Sequence, residues 1–295
     1  MKVLAALSMI FSLLVSCYDG NIRVDFQEDT NYITKVQYTT SYLFNFSYFK
    51  VRPFSSSAQG MDLYDDKFLF QAGLLGSTIY IFDIDSFRMV GSIVFDVPNG
   101  ESSHMNNINC GPRYDNSDKW PLLYLSQTVD SHKCYVLRLS DDATSYTLLQ
   151  TIQYKGTHHY VDSLYDWFVD TQNDFIYAYG YLNGNKEERD IVKFPLPSLD
   201  CSEIIFTDDD ILDNFTLKNM SIFQGSKIVD NLLYVPVGYG DSTFPGYIKV
   251  ISLDEKRLVI NIPISCGEPE SVGQYKDGLI ICGGGMSPDY YFFQL

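Results

Sequence analysis

The chain has 295 residues, 37 acidic and 21 basic, for a formal net charge of −16. Such a field repels phosphate backbones, so nucleic acid is not expected as a partner. Tyr and Phe number 23 and 20, an aromatic load that favours pleated sheets.

Lys2 opens a short basic start, and Val3–Val15 is an apolar-to-small run of signal-peptide length, short of the roughly 20 residues needed to span a bilayer. The run ends Leu14-Val15-Ser16-Cys17, which resembles the bacterial lipobox. The expectation is a signal peptide over residues 1–16 and lipidation at Cys17. Residues 17–35 then form an anchor linker, and the bacterial cell envelope is the location. The membrane is a partner through that anchor.

From residue 36 to 295 one domain is expected. Runs of five to eight β-branched, aromatic or leucine residues alternate with Gly, Asp, Asn and Ser. The first group is Gly60–Tyr64, Phe68–Ala72, Thr78–Phe82 and Phe87–Phe95. The second is Asn106–Gly111, Leu122–Ser126, Cys134–Leu139 and Tyr146–Tyr154. The third is Leu164–Val169, Phe175–Leu182, Ile191–Phe194 and Glu203–Phe206. The fourth is Ser221–Ile228, Leu232–Val237, Tyr247–Ser252 and Leu258–Pro263. The fifth, Ser271–Tyr275, Leu279–Gly283 and Tyr290–Gln294, stops one strand short, and Ser41–Tyr48 can supply that strand. The grammar predicts an all-β fold, a five-bladed β-propeller closed by an N-terminal strand. Six shorter blades and a β-sandwich are the alternatives.

Five cysteines follow Cys17, an odd number with no C-x-x-C pair, which argues against a zinc site and a full disulfide framework. Thr207-Asp208-Asp209-Asp210 reads as a solvated loop with too few oxygen ligands at loop spacing for calcium. His158 and His159 are adjacent, so on a strand they point to opposite faces and cannot share a metal. No metal and no cofactor is expected. The Walker, dinucleotide, H-E-x-x-H and G-x-S-x-G patterns are absent.

In a propeller the inner strands run along a central channel, so residues before or within them are the default ligand contacts. Those positions hold Gln59, His104, Asn106, Asn107, Asp166, Trp167, Gln224, Glu268 and Glu270. Trp120, beside Pro121 in a polar loop, either stacks on a ligand or lids the core. Satisfied backbone groups or channel water are the competing role for any one of the polar positions.

Gln59-Gly60, the turn Gly73-Leu74-Leu75-Gly76-Ser77 and Asp83 resemble one blade of the plant and bacterial type of glutaminyl cyclase (glutamine cyclotransferase). That family is a secreted five-bladed propeller, and the resemblance covers about a tenth of the chain. It implies an acid/base glutamate just before the turn, able to shuttle a proton from the α-amine to leaving ammonia. Phe70 stands at that place, and neither it nor Gln71 exchanges protons near neutral pH. The reading is therefore a non-catalytic module for a glycan, a peptide or a partner protein. The alternative is an enzyme, a diverged cyclase or a hydrolase or lyase using channel acids.

Overall fold

The computed structural model describes residues 40–50, 57–73, 78–97, 104–128, 132–157, 160–183, 185, 188–218, 220 and 223–295. Residues 1–39, with the signal segment, Cys17 and the linker, lie outside these, as do His158, His159 and most of the Gly73–Ser77 turn.

Five sheets, antiparallel but for one added strand, form a five-bladed β-propeller. Blade 1 is β2 (Ala58–Tyr64), β3 (Phe68–Gly73), β4 (Thr78–Asp83) and β5 (Arg88–Val94). Blade 2 runs β6 (Met105–Cys110), β7 (Leu123–Gln127), β8 (Cys134–Leu139) and β9 (Tyr146–Tyr154). Blade 3 has β10 (Tyr160–Asp170), β11 (Phe175–Leu182) and β12 (Glu188–Pro195); blade 4 has β15 (Lys227–Val229), β16 (Leu232–Val237), β17 (Tyr247–Ser252) and β18 (Arg257–Pro263). Blade 5 is β19 (Pro269–Tyr275), β20 (Gly278–Gly283) and β21 (Asp289–Gln294), with β1 (Thr40–Asn45) as its outer strand.

The five-blade count holds over six. Thr40 pairs with Phe293 and Asn45 with Asp289, so the N-terminal segment closes the ring as its composition predicts. It is a strand only to Asn45; a 3-10 turn follows over Phe46–Phe49. Asn45 makes that switch, its Oδ1 accepting from Ser47 N at 2.9 Å while its Nδ2 donates to Asp289 Oδ1 at 2.9 Å. The turn drives Phe46 and Phe49 onto blade 1, where Phe49 stacks on Phe82 at 4.1 Å between centroids. Each fully buried ring is worth about 1.5–3 kcal/mol of burial, so the seam is held by side chains as well as by the ladder.

One strand is not where its sequence position suggests. Glu203–Phe206, expected as the outer strand of blade 3, is β13 and pairs in parallel with β9, a fifth strand on blade 2. The outer strand of blade 3 is β14 (Asp213–Lys218), antiparallel to β12. Gln150 Nε2 donates to Ser198 O at 2.7 Å and Cys201 O at 2.9 Å, tying the preceding loop to blade 2. The acidic run behind β13 is a 3-10 turn whose Asp208 accepts from the Tyr154 hydroxyl.

Five apolar clusters fill the spaces between blades, one to each interface. Their side chains come from alternate strand positions, as period-two patterning dictates. The inner strands approach closely. A Cβ on Gly60 would meet Asn107 C at 2.8 Å, and one on Gly225 would meet Asn106 O at 2.5 Å. Glycine is required at both places by contact rather than by dihedral angle.

Candidate functional site at the channel mouth

All five inner strands begin at one end of the channel, so their first polar residues converge there. His104, just before β6, places Nε2 3.0 Å from Gln59 Oε1. Gln59 Nε2 donates to Glu270 Oε2 at 2.8 Å, and Ser57 Oγ donates to Glu270 Oε1 at 3.0 Å. Gln224 Nε2 lies 3.4 Å from Glu268 Oε1. Four blades thus contribute to two hydrogen-bonded groups, which meet through the charge interaction of Glu268 with Glu270.

Electrostatics distinguish this set from ordinary surface polarity. Glu270 is 2% exposed; burial, then the neighbouring Glu268 charge, push its carboxyl up to about 8 against the pull of Ser57 and Gln59. Glu268 is also raised, by burial, and burial lowers His104. At neutral pH the set therefore favours an uncharged imidazole and a protonated Glu270.

One layer deeper, Asn106 Nδ2 donates to Asp166 Oδ2 at 2.7 Å, and Trp167 N donates to Asp166 Oδ1 at 3.0 Å. Asp166 is fully buried, and desolvation raises it to about 7 although Ser126, Asn106 and the Trp167 amide oppose the shift. Asn107 Nδ2 donates to Trp167 O at 3.0 Å. These residues knit blade 2 to blade 3 beneath the mouth.

The far end of the channel is closed by a different device. Lys227 Nζ lies 2.5 Å from Asp62 Oδ2, which also accepts from Cys110 N at 2.7 Å. Burial opposes the Lys227 charge, but Asp62 and Cys110 outweigh it and hold the ammonium above its usual range. Asn109 spans the axis there, accepting from Val169 N at 2.9 Å and donating to Ser226 O at 3.1 Å.

Of the residues singled out in the sequence, the structure brings Gln59, His104, Gln224, Glu268 and Glu270 together at the mouth. Asn106, Asn107 and Asp166 lie below them. The two tryptophans are elsewhere. Trp120 is 3% exposed in the core between blades 1 and 2, edge-on to Phe68 at 5.0 Å, so it lids the core and offers no ligand platform. Trp167 is 2% exposed against Phe194 and Phe206, its indole donating to His132 O at 3.0 Å. Both are corrections to the ligand reading, since an inner-strand or loop position does not decide which face a large ring takes.

Phe70 is fully buried in the same blade 1–blade 2 core as Trp120. Gln71 faces the other way, with Nε2 donating to Gln59 O at 2.8 Å and Oε1 accepting from the Tyr290 hydroxyl at 2.9 Å. Sequence reasoning missed Ser57, Ser126 and the Asp62–Lys227 pair. An acid in the first inner strand and a lysine in the fourth were visible, but only ring closure makes them neighbours.

No protein-family model and no curated protein sequence matches the chain. Among solved structures, it is similar to the tail fiber of Staphylococcus aureus phage P68, with a TM-score of 0.56 and 14% identity over 88% of this chain. That match spans only 53% of the tail fiber. It is also similar to the Myxococcus xanthus glutaminyl cyclase, with a TM-score of 0.51 and 9% identity over 87% of this chain and 96% of that one. At such identities the likeness is one of fold, and the chain is a five-bladed propeller with the overall arrangement of these neighbours.

Proposed function

We propose that the protein is a binding module, anchored at the bacterial cell envelope through acylated Cys17, that presents its channel mouth to a glycan, peptide or partner protein. The observation that carries this reading is the convergence of Gln59, His104, Gln224, Glu268 and Glu270 from four blades. A rigid ring spends no ordering entropy on such a set when a ligand arrives. Against cyclase activity stands the place of Phe70: a carboxylate there would enter an apolar core and could not meet a substrate at the mouth.

A second reading has its own support. Glu270, raised to about 8, is poised near neutrality as a general acid or base should be. In that reading the protein is a diverged cyclase, or a hydrolase or lyase working through Glu270.

Incubating purified protein with Gln-initiated peptides and scoring ammonia release separates the two. The binding reading expects no release above the spontaneous rate; robust turnover abolished by Glu270→Gln would replace it with the enzyme. For the anchor, Cys17→Ser should move the protein from the membrane to the soluble fraction, and continued detergent-dependent fractionation would sink lipidation.

A further inference from the structure

The loop between β16 and β17 carries two aromatic residues that folding does not explain. Tyr239 and Phe244 are 47% and 46% exposed, an exposure that among the described rings only Tyr42, Tyr48 and Tyr114 match or exceed. They are held firmly all the same. Tyr239 N donates to Phe244 O at 2.9 Å, and Asp241 Oδ1 accepts from Thr243 N and Phe244 N, each at 2.7 Å. The rings stand nearly perpendicular, 5.7 Å between centroids.

This loop is pressed against the mouth. Gly240, with φ of +70°, lies so close to Gly267 that a Cβ would fall 2.0 Å from the Gly267 carbonyl carbon. Gly267 is the residue before Glu268. On the other flank, a Cβ on Gly284 would sit 3.2 Å from Glu270 Oε1, and Met286 in that loop is 56% exposed. The hydrogen-bonding set at the mouth is thus bordered by exposed apolar groups on fixed backbone.

The polar set has a chemistry of its own. The Gln59 amide is engaged between His104 and Glu270, while Gln224 is a primary amide able to donate and accept. His104 and Glu270 favour their uncharged forms, in which an imidazole and a carboxylic acid also do both. An ammonium ligand only donates and a carboxylate or phosphate only accepts, so either would waste half of these groups. An anion would in addition meet a chain of net charge −16. A hydroxyl donates and accepts, as the site does. Aromatic rings beside such groups suit the C–H face of a sugar ring, one side apolar and its edge hydroxylated.

We infer that the ligand of the mouth is an uncharged carbohydrate, with Tyr239 and Phe244 as specificity-determining contacts beside Gln224, Glu268 and Glu270. This rests on the binding-module reading above and narrows its ligand from three classes to one.

The test is a printed array of neutral glucose and N-acetylglucosamine oligosaccharides, alongside free-amine peptides of matched length, probed with the full-length protein in detergent. Retained oligosaccharides are then titrated by calorimetry against Tyr239→Ala, Phe244→Ala and Tyr239→Phe. The expected result is oligosaccharide retention, with affinity weakened about tenfold or more by either alanine and little changed by Tyr239→Phe. Both side chains are half-exposed, so thermal unfolding of the variants should match the parent and exclude misfolding as the cause. Oligosaccharide binding indifferent to both alanines would overturn the assignment of Tyr239 and Phe244. Retention of peptides alone would overturn the carbohydrate while leaving the binding module standing. Retention of neither probe would count against both.

Discussion

The two ends of the central channel each hold a buried carboxyl group, under opposite conditions. At the closed end Asp62 is fully buried and meets the Lys227 ammonium and two backbone amides, of Leu63 and Cys110. At the mouth Glu270 is almost as buried but meets one amide and one hydroxyl, with a second carboxyl beside it. A buried charge without a cation is costly, and the group responds by holding its proton. The closed end is thus built for the fold alone, and the mouth keeps a carboxyl in its protonated form, able to donate as well as accept.

The largest effect should come from opening the ring on which both ends depend. Deleting residues 40–49 removes the outer strand of blade 5 and the buried Phe44, Phe46 and Phe49. Denaturant unfolding should then show a loss well above ~3 kcal/mol, since truncating even one such ring costs about that much. An unchanged midpoint would mean that the seam contributes nothing to the channel.

Next in size is the closed end itself. Lys227→Met strands Asp62 as an uncompensated buried charge, an expected loss of about 3–5 kcal/mol. Asp62→Asn together with Lys227→Met should recover more than half of it, because the asparagine carbonyl can still accept from the two amides. Equal losses in single and double variants would show that the ion pair is not what matters there.

The mouth should give a smaller effect, visible as a pH dependence. A carboxyl whose folded pKa exceeds its unfolded value binds its proton more tightly in the fold. Its contribution is therefore present in acid and is lost as the pH rises through the folded value. For Glu270 that window runs from the ordinary carboxyl range up to about 8, and Asp166, at about 7, acts in the same direction. Stability should fall steadily between pH 5 and pH 8 as the two groups lose their protons. Glu270→Gln should reduce the slope, and adding Asp166→Asn should flatten it. Turn carboxylates such as Asp83 oppose this trend. Burial disfavours its charge, but the Ser86 amide, Lys67 and the Asp85 amide outweigh burial and lower it. That stabilisation is lost only as the pH falls through its lowered folded value. A Glu270→Gln protein with the parent's slope would erase the distinction between the two ends.

The blade count was legible because its signals are local. Strand alternation and paired turn residues, such as Asp65-Asp66 and Asp230-Asn231 with both φ near +50° to +60°, repeat whatever the rest of the chain does. The mouth was legible for a related reason: inner strands of a ring must start together, so Gln59, His104, Gln224, Glu268 and Glu270 had to meet. What failed were choices made by distant contacts. Glu203–Phe206 has a pattern that suits any outer strand, and it is the Gln150 amide that carries its approach to blade 2. Trp120 and Trp167 could not be assigned a face from neighbours in sequence, because the residues covering them belong partly to other strands. Tyr239 and Phe244 fall between two expected strands, and only the approach of Gly240 to Gly267 brings their loop to the mouth.

The closing strand also imposes an order on events in time. Asn45 and Asp289, bonded side chain to side chain, are 244 residues apart, so β1 must wait for nearly the whole polypeptide before it has a partner. Until then four blades can assemble while blade 5 shows an unpaired edge, the kind of surface that templates association between chains. Pairing across such a separation is slow. A protein built this way leaves its vulnerable interval to the last step of folding.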